Sequence, residues 1–228
     1  DDWHEQPGVL IVFGNDDTIG WFAQHTPPHL RLLGHGQRLS IGIVSGDAAR
    51  AAHHAARDVC LFDQQGCLSI HDLYVHPSAE VSPEQFGRLL ASEMDNFTRR
   101  HPRRPLTLSE EGAITNLRET TRFLAAARPE GFALWESSPG TDWTVMFEDD
   151  STLRPSPLNR VAFVKPWPAD SPEATLGPEQ RHLASIALHP FDEEFARSLI
   201  PLGASRICPM GGTQSPPLAW HHDGIPPV

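Results

Sequence analysis

The sequence lacks the features that would place it among membrane-spanning, secreted disulfide-rich or nucleic-acid-binding proteins. No apolar run approaches the roughly 20 residues that a bilayer-spanning helix needs, and we expect no signal peptide. Three cysteines in 228 residues do not make a disulfide framework, so we expect a reducing, cytoplasmic location. A formal net charge of -11 leaves no basic stripe to neutralise phosphates, and we expect no nucleic-acid partner.

Metal-binding patterns are missing as well. No Cys-x-x-Cys or His-Glu-x-x-His spacing occurs, although the chain has 13 histidines. The adjacent pairs His53-His54 and His221-His222 offer neighbouring side chains, which on a helix point in different directions and cannot easily share one ion. The sequence therefore predicts no metal site.

The chain does contain a regular alternation of strand-like and helical segments, which is typical of an α/β fold. Residues 8–14 form an apolar run ended by glycine, which indicates a strand buried on both faces. An alanine-rich helix is predicted from Ala48 to about Val59, with Asp47 as its cap. Further helices are predicted at residues 18–24, 82–99, 107–127 and 192–199, and further strands at 30–33, 39–44, 72–75, 132–135, 143–147, 161–164, 182–188 and 205–208.

Cys67 is the residue that most suggests chemistry. It follows Gly66 in a turn between the alanine-rich helix and a strand, where a glycine leaves room for a substrate carbonyl beside the sulfur. A lone cysteine is more often a small buried hydrophobe. Asp63, Gln64 and Gln65 precede this one, however, and polar side chains are poor core material because burying them without partners costs free energy. The pattern favours a nucleophilic cysteine.

Four segments of the sequence, taken in order, carry a family resemblance. They are residues 12–19 (VFGNDDTI), residues 35–40 (HGQRLS), residues 63–69 (DQQGCLS) and the tail at residues 209–224. Together they resemble the LuxC-like acyl-CoA reductases, a branch of the aldehyde dehydrogenase superfamily. The resemblance covers nearly the whole chain, and within it residues 63–69 look like the nucleophile segment.

The resemblance implies an aldehyde-dehydrogenase-like α/β fold that is present only in part. Residues 1–33 would be the C-terminal portion of a Rossmann-like NAD(P)-binding domain, residues 34–208 the catalytic domain, and residues 209–228 a Pro/Gly-rich C-terminal segment. Cys67 would then lie in the crevice between the first two parts. Because the chain starts at Asp1 without a methionine, we expect an N-terminal portion to be missing.

The implied activity is the NADPH-dependent reduction of a long-chain fatty acyl-CoA, or of an acyl-carrier thioester, to the aldehyde through a Cys67 acyl-enzyme. Gln64 and Gln65 would assist Cys67 in catalysis, while Gly14, Asn15 and Thr18 would contact the cofactor at the turn that resembles the pyrophosphate site. A homo-oligomer or partner acyl-transferring subunits would be the protein partners.

Two departures from ordinary aldehyde dehydrogenases refine this expectation. Those enzymes carry a water-activating glutamate 33 to 34 residues before the nucleophile, where this chain reads Leu-Leu-Gly-His at residues 32–35. They also hold the nicotinamide ribose with a glutamate, and residues 160–165 contain no acid. Without a base for water, the acyl-enzyme should survive long enough to accept hydride, which favours a reductase.

Alternatives remain open at this point. A CoA-acylating aldehyde dehydrogenase working in the oxidative direction would share these residues, and only kinetics separates the two. A non-catalytic homologue is a third possibility, against which the retention of Cys67 argues. A helix that ends before Cys67 points its C-terminus at the thiol and does not lower its pKa, so we expect activation by nearby N–H groups, by Gln64 or Gln65, or by His35.

Overall fold

The computed structural model describes residues 5–169 and 171–224, and it divides the chain into two compact units, one ending at Arg38 and one beginning at Leu39. The first unit holds a strand, a helix and a second strand, namely β1 (Gly8–Phe13), α1 (Asp16–His25) and β2 (Leu30–His35). Because β2 extends to His35, the break between the units follows Arg38, a few residues beyond the expected position at Leu33.

The two strands of the first unit are parallel and in register from Gly8↔Leu30 to Phe13↔His35, with α1 as the crossover. The prediction of a strand buried on both faces is wrong for β1. Only Val12 of this strand is buried, while Ile11 and Phe13 are 51% and 68% exposed. The physical reason is that, within this unit, the single helix can cover only one face of the two strands.

The second unit is built on one seven-stranded sheet, counted over the described residues, in the order β5-β6-β7-β4-β3-β8-β9. All neighbouring pairs are parallel except β5 and β6. Its strands are β3 (Leu39–Val44), β4 (Ile70–Val75), β5 (Phe132–Glu136), β6 (Thr144–Glu148), β7 (Val161–Pro166), β8 (Leu183–His189) and β9 (Arg206–Pro209). Its helices are α2 (Ala48–Cys60), α3 (Pro83–Arg100), α4 (Leu108–Ala127), α5 (Pro172–Thr175) and α6 (Glu193–Ser198).

The central strands β3 and β4 are buried along their whole length because both faces of the sheet are covered. On one face the alanine-rich side of α2 packs against the sheet and against α3 in a single apolar cluster. Small alanine side chains let the helix approach closely. Capping boxes start α3 at Ser82 and α4 at Thr107, which confirms the helix starts expected from the sequence. The α/β fold class is confirmed.

Within the described part of the chain, no helix is both long and apolar enough to cross a membrane.

One lysine side chain lies fully buried within the sheet layer. The Nζ atom of Lys165 on β7 is 3.4 Å from a carboxylate oxygen of Asp72 and 3.3 Å from one of Glu148, and it donates to the carbonyl of Thr152 at 2.5 Å. Burial raises the pKa of the Asp72 carboxyl, and the neighbouring ammonium opposes that rise. The cation on β7 therefore compensates two carboxylates, one on each of the strands β4 and β6 that flank it.

We predict that Lys165→Met lowers the free energy of unfolding by about 3–5 kcal/mol, because it leaves the buried Asp72 carboxylate without a cation and Glu148 with Arg154 alone. The pKa of Asp72 would rise further in the folded state, so the folded state would prefer the neutral acid and the deficit would be smaller at about pH 5 than at about pH 8. Urea denaturation of the chain measures both effects. The control is Arg197→Met, which breaks an exposed pair with Glu193 and should cost less than about 1 kcal/mol. A Lys165→Met loss as small as the control's would contradict the role of Lys165.

Candidate active site

The loop that carries Cys67 begins with an unusual backbone conformation. Directly after α2, three consecutive residues that are not glycine adopt left-handed conformations: Phe62 (φ 56°), Asp63 (φ 53°) and Gln64 (φ 62°). Such conformations cost on the order of 1–3 kcal/mol each and persist only where the surroundings enforce them. Strain of this kind is concentrated at functional sites more often than elsewhere.

A second left-handed run lies opposite the first. Leu158, Asn159 and Arg160 have φ values of 63°, 58° and 65°, immediately before β7. The amide of Gln64 joins the two runs, because its Nε2 donates to the carbonyls of Ile70 and Val161 at 2.8 Å each and its Oε1 accepts from the backbone N–H of Val161 at 2.9 Å.

The residues on either side of Gln64 in the sequence also join the two left-handed runs. The guanidinium of Arg160, 3% exposed, forms two bonds to one oxygen of Asp63, at 3.0 and 2.6 Å. The side-chain amide of Gln65 donates to the amide oxygen of Asn159 at 3.0 Å. The two strained turns are thus joined by side chains that are about 95 residues apart in sequence.

These contacts change the interpretation of the polar residues before Cys67. Gln64 is completely buried, and both of its amide N–H groups and its oxygen bond backbone atoms. These bonds occupy the Gln64 amide, which argues against the prediction that Gln64 activates the thiol, and they include partners from a distant segment that local sequence does not reveal. Gln65 is an exposed residue of the nucleophile loop, and its side-chain amide bonds Asn159. Its role in catalysis stays a prediction.

Cys67 itself is exposed, whereas Cys60 and Cys208 are buried. Burial raises the pKa of the Cys60 thiol to about 12 and that of Cys208 to about 11, so neither is a thiolate at neutral pH. Among the described cysteines, only Cys67 is placed to meet a substrate.

The space expected beside Gly66 is occupied by another residue. A Cβ on Gly66 would lie 3.0 Å from the amide oxygen of Gln214 and 3.4 Å from the hydroxyl of Ser69. Gln214 donates to that hydroxyl at 2.8 Å. The glycine is needed because the C-terminal segment packs on the nucleophile loop.

The same C-terminal segment brings a histidine to the nucleophile. The Nε2 atom of His222 is 4.0 Å from the Sγ atom of Cys67. In the sequence, His222 stands only within the tail that carries the family resemblance and in a His221-His222 pair unsuited to sharing one metal ion, and neither pattern points to Cys67. The two residues are 155 positions apart in the chain, so no local pattern shows the contact. The presence of a histidine near the C-terminal end is the only sequence signal for it.

The residues expected to meet the cofactor lie in the first unit. The amide oxygen of Asn15 accepts from the backbone N–H of Thr18 at 2.8 Å and from its hydroxyl at 2.7 Å, which caps α1. A Cβ on Gly14 would lie 2.9 Å from the Thr18 side chain, so the tight strand-to-helix turn requires glycine. His35 stacks on Phe13 with ring centroids 4.7 Å apart.

This turn fits a dinucleotide in its backbone shape, because Gly14 presents no side chain at the end of β1. The charge of the helix end is less favourable, since Asp16 and Asp17 occupy the first turn of α1. One oxygen of Asp16 is 3.2 Å from the backbone N–H of Gln37, from which it accepts a bond. Among the described residues, no group of three or more His, Cys, Asp or Glu side chains is placed to hold a metal ion.

Known structures with a similar fold include aldehyde dehydrogenases and a proline utilization A protein. An NAD-dependent benzaldehyde dehydrogenase from Corynebacterium glutamicum matches 88% of this chain and 46% of its own, with a TM-score of 0.61 and 16% identity. A bifunctional proline utilization A (PutA) protein matches 90% of this chain and 23% of its own, with a TM-score of 0.64 and 12% identity. At these identities the likeness shows the fold, which is the aldehyde-dehydrogenase-like α/β fold expected from the sequence.

The family comparison defines the chain more specifically than the fold does. A profile described as acyl-CoA reductase (LuxC) matches residues 3–228, and the chain belongs to that family. A long-chain acyl-protein thioester reductase 2 from Photobacterium leiognathi is 27% identical over 227 residues, covering 96% of this chain and 45% of the relative. A long-chain acyl-protein thioester reductase from Aliivibrio fischeri is 24% identical over 226 residues, covering 96% and 44%. The chain thus spans slightly less than half the length of these relatives.

We predict that Gln64→Ala lowers the free energy of unfolding by about 3 kcal/mol or more, because it leaves buried backbone groups at Ile70 and Val161 without partners. Gln65→Ala, its matched control, removes one partly exposed bond and should cost less than about 1 kcal/mol. Urea denaturation measures both. Equal losses in the two variants would show that Gln64 does not hold the left-handed turns together.

Proposed function

We propose that this chain is the part of an acyl-thioester reductase that carries the nucleophile, and that the complete enzyme reduces a long-chain fatty acyl thioester to the aldehyde. The observation that carries the proposal is the exposed Cys67 in a loop enforced by two strained turns, within a chain of the acyl-CoA reductase (LuxC) family. The relatives are named for acyl-protein thioesters, so we propose an acyl group presented on a protein thiol or on coenzyme A.

The first step is thioester exchange at Cys67. The Cys67 thiolate attacks the acyl carbonyl carbon, a bond forms between Sγ and that carbon, and the carrier leaves as a thiol after taking up one proton. The backbone in this loop is held rigidly by the Gln64 and Asp63 contacts, which keeps Sγ in one place for attack. Gln65, exposed beside Cys67, is the neighbouring amide that we propose contacts the acyl group.

The second step reduces the acyl-enzyme. A bound nicotinamide cofactor, which we propose is NADPH, would supply hydride to the acyl carbon. Cys67 is the leaving group in this step, and its thiolate is regenerated as the aldehyde departs. In the first unit, Gly14, Asn15 and Thr18 form the turn that we propose contacts the cofactor.

Water must not compete for the acyl-enzyme. Ordinary members of the superfamily activate water with a glutamate, whereas residues 32–35 of this chain, Leu-Leu-Gly-His, contain no carboxylate. This difference supports reduction, since a long-lived acyl-enzyme can wait for hydride.

In the complete enzyme, we predict that Cys67→Ala abolishes covalent labelling by a radioactive fatty acyl-CoA and also aldehyde formation, because no other exposed thiol in this chain can hold the acyl group. Cofactor binding should persist. The controls are Cys60→Ala and Cys208→Ala, which remove buried thiols and should keep the label. Labelling that survives Cys67→Ala but is lost in either control would assign the nucleophile elsewhere.

A further inference from the structure

Cys67 needs a proton acceptor, and the one carboxylate of its own loop, Asp63, is paired with the Arg160 guanidinium. The helix α2 ends just before the loop, so its C-terminus disfavours a thiolate nearby. The amide of Gln64 is fully used by backbone partners, and that of Gln65 bonds Asn159. Neither amide can take a proton from sulfur. A base must come from another element.

His222 approaches from the C-terminal segment, residues 210–224. Its Nε2 atom lies 4.0 Å from Sγ of Cys67, and its ring packs edge-to-face with Trp220 at a centroid distance of 4.9 Å. The indole N–H of Trp220 donates to the carbonyl of Ser205 at 3.4 Å. Imidazole is the side chain that accepts a proton most readily near neutral pH.

The C-terminal segment is held to helix α2 and strand β9 by charged side chains. Asp58 of α2 accepts from the backbone N–H groups of Gly211 at 2.6 Å and Thr213 at 3.2 Å. Arg206 of β9 donates to the carbonyls of Thr213 at 2.7 Å and Gly212 at 2.9 Å, and Arg57 donates to the carbonyl of Gly211 at 3.1 Å.

These contacts fold the tail back over the nucleophile loop, where Gln214 bonds Ser69. The segment that precedes His222 is anchored at residues 211–214, and Trp220, two residues before His222, donates to the carbonyl of Ser205.

We propose that His222 is the general base that takes the Cys67 thiol proton onto Nε2 as Sγ attacks the thioester, and then gives that proton to the departing carrier thiol. The bond from Sγ to the acyl carbon forms, the bond from that carbon to the carrier sulfur breaks, and no proton is gained or lost overall. After hydride reaches the acyl carbon and the aldehyde leaves, the Cys67 thiolate takes one proton from solvent. The assignment rests on the proposed function, because it gives Cys67 its activating partner.

The test measures the thiol directly and needs neither acyl substrate nor cofactor. In the full-length protein, the rate of Cys67 alkylation by iodoacetamide is followed by peptide mass spectrometry from pH 7 upward. This range avoids Asp58, whose pKa is raised by burial to about 6. Arg57, Asp58 and Arg206 remain the same in every variant, so they do not account for a difference between variants.

His222→Gln should slow alkylation of Cys67 at pH 7 by about tenfold or more and move the pH midpoint toward that of an ordinary thiol. His221→Gln is the matched control on the neighbouring residue and should stay within about twofold of the unchanged protein. An unchanged rate and midpoint in His222→Gln would overturn the proposal.

A second variant separates chemistry from folding. His222→Ala should lose acyl transfer to Cys67 and regain part of it when imidazole is added, because a free base can replace the missing ring but cannot restore a misfolded tail. Failure of rescue in a variant that melts like the unchanged protein would count against the base. The role of Cys67 itself is tested separately by acyl labelling of Cys67→Ala, so the two proposals can fail independently.

Discussion

The contact between two left-handed turns is the constraint on which the rest of the site depends. Residues 62–64 and 158–160 each place three residues other than glycine at positive φ, a costly conformation that neither segment would keep alone. The buried amide of Gln64 and the ion pair between Asp63 and Arg160 hold the turns against each other. Because only Gln65 and Gly66 separate the first turn from Cys67, the position of the thiol follows from this contact.

The sheet that follows this contact in the chain is rigidly packed. Strand β4 starts three residues after Cys67 and is buried throughout, with β3 and β7 as parallel neighbours. The buried ammonium of Lys165 links β7 to Asp72 on β4 and to Glu148 on β6. A nucleophile mounted at the beginning of such a strand has little freedom, and reduced freedom favours a single geometry of attack.

The C-terminal segment completes the surroundings of Cys67 in the second unit. It fills the space beside Gly66 with Gln214 and carries His222 to the sulfur, so residues from the C-terminal end of that unit frame the nucleophile. Asp58 connects the helix before the nucleophile with the segment after the last strand. Polar side chains close to Cys67 in sequence therefore build the loop, while side chains distant in sequence reach the thiol.

The sequence by itself determined the α/β class, nearly every helix and strand and the choice of Cys67 as the candidate nucleophile, because these depend on local periodicity, caps and composition. Tertiary structure alone decided that the Gln64 amide bonds distant backbone atoms, that β1 is largely exposed and that His222 meets Cys67. Each of these depends on atoms brought together from far along the chain: 97 residues separate Gln64 from Val161, and 155 separate Cys67 from His222. Local sequence carries no record of such partners, so polarity beside a cysteine cannot by itself distinguish a catalytic side chain from a buried, fully bonded one.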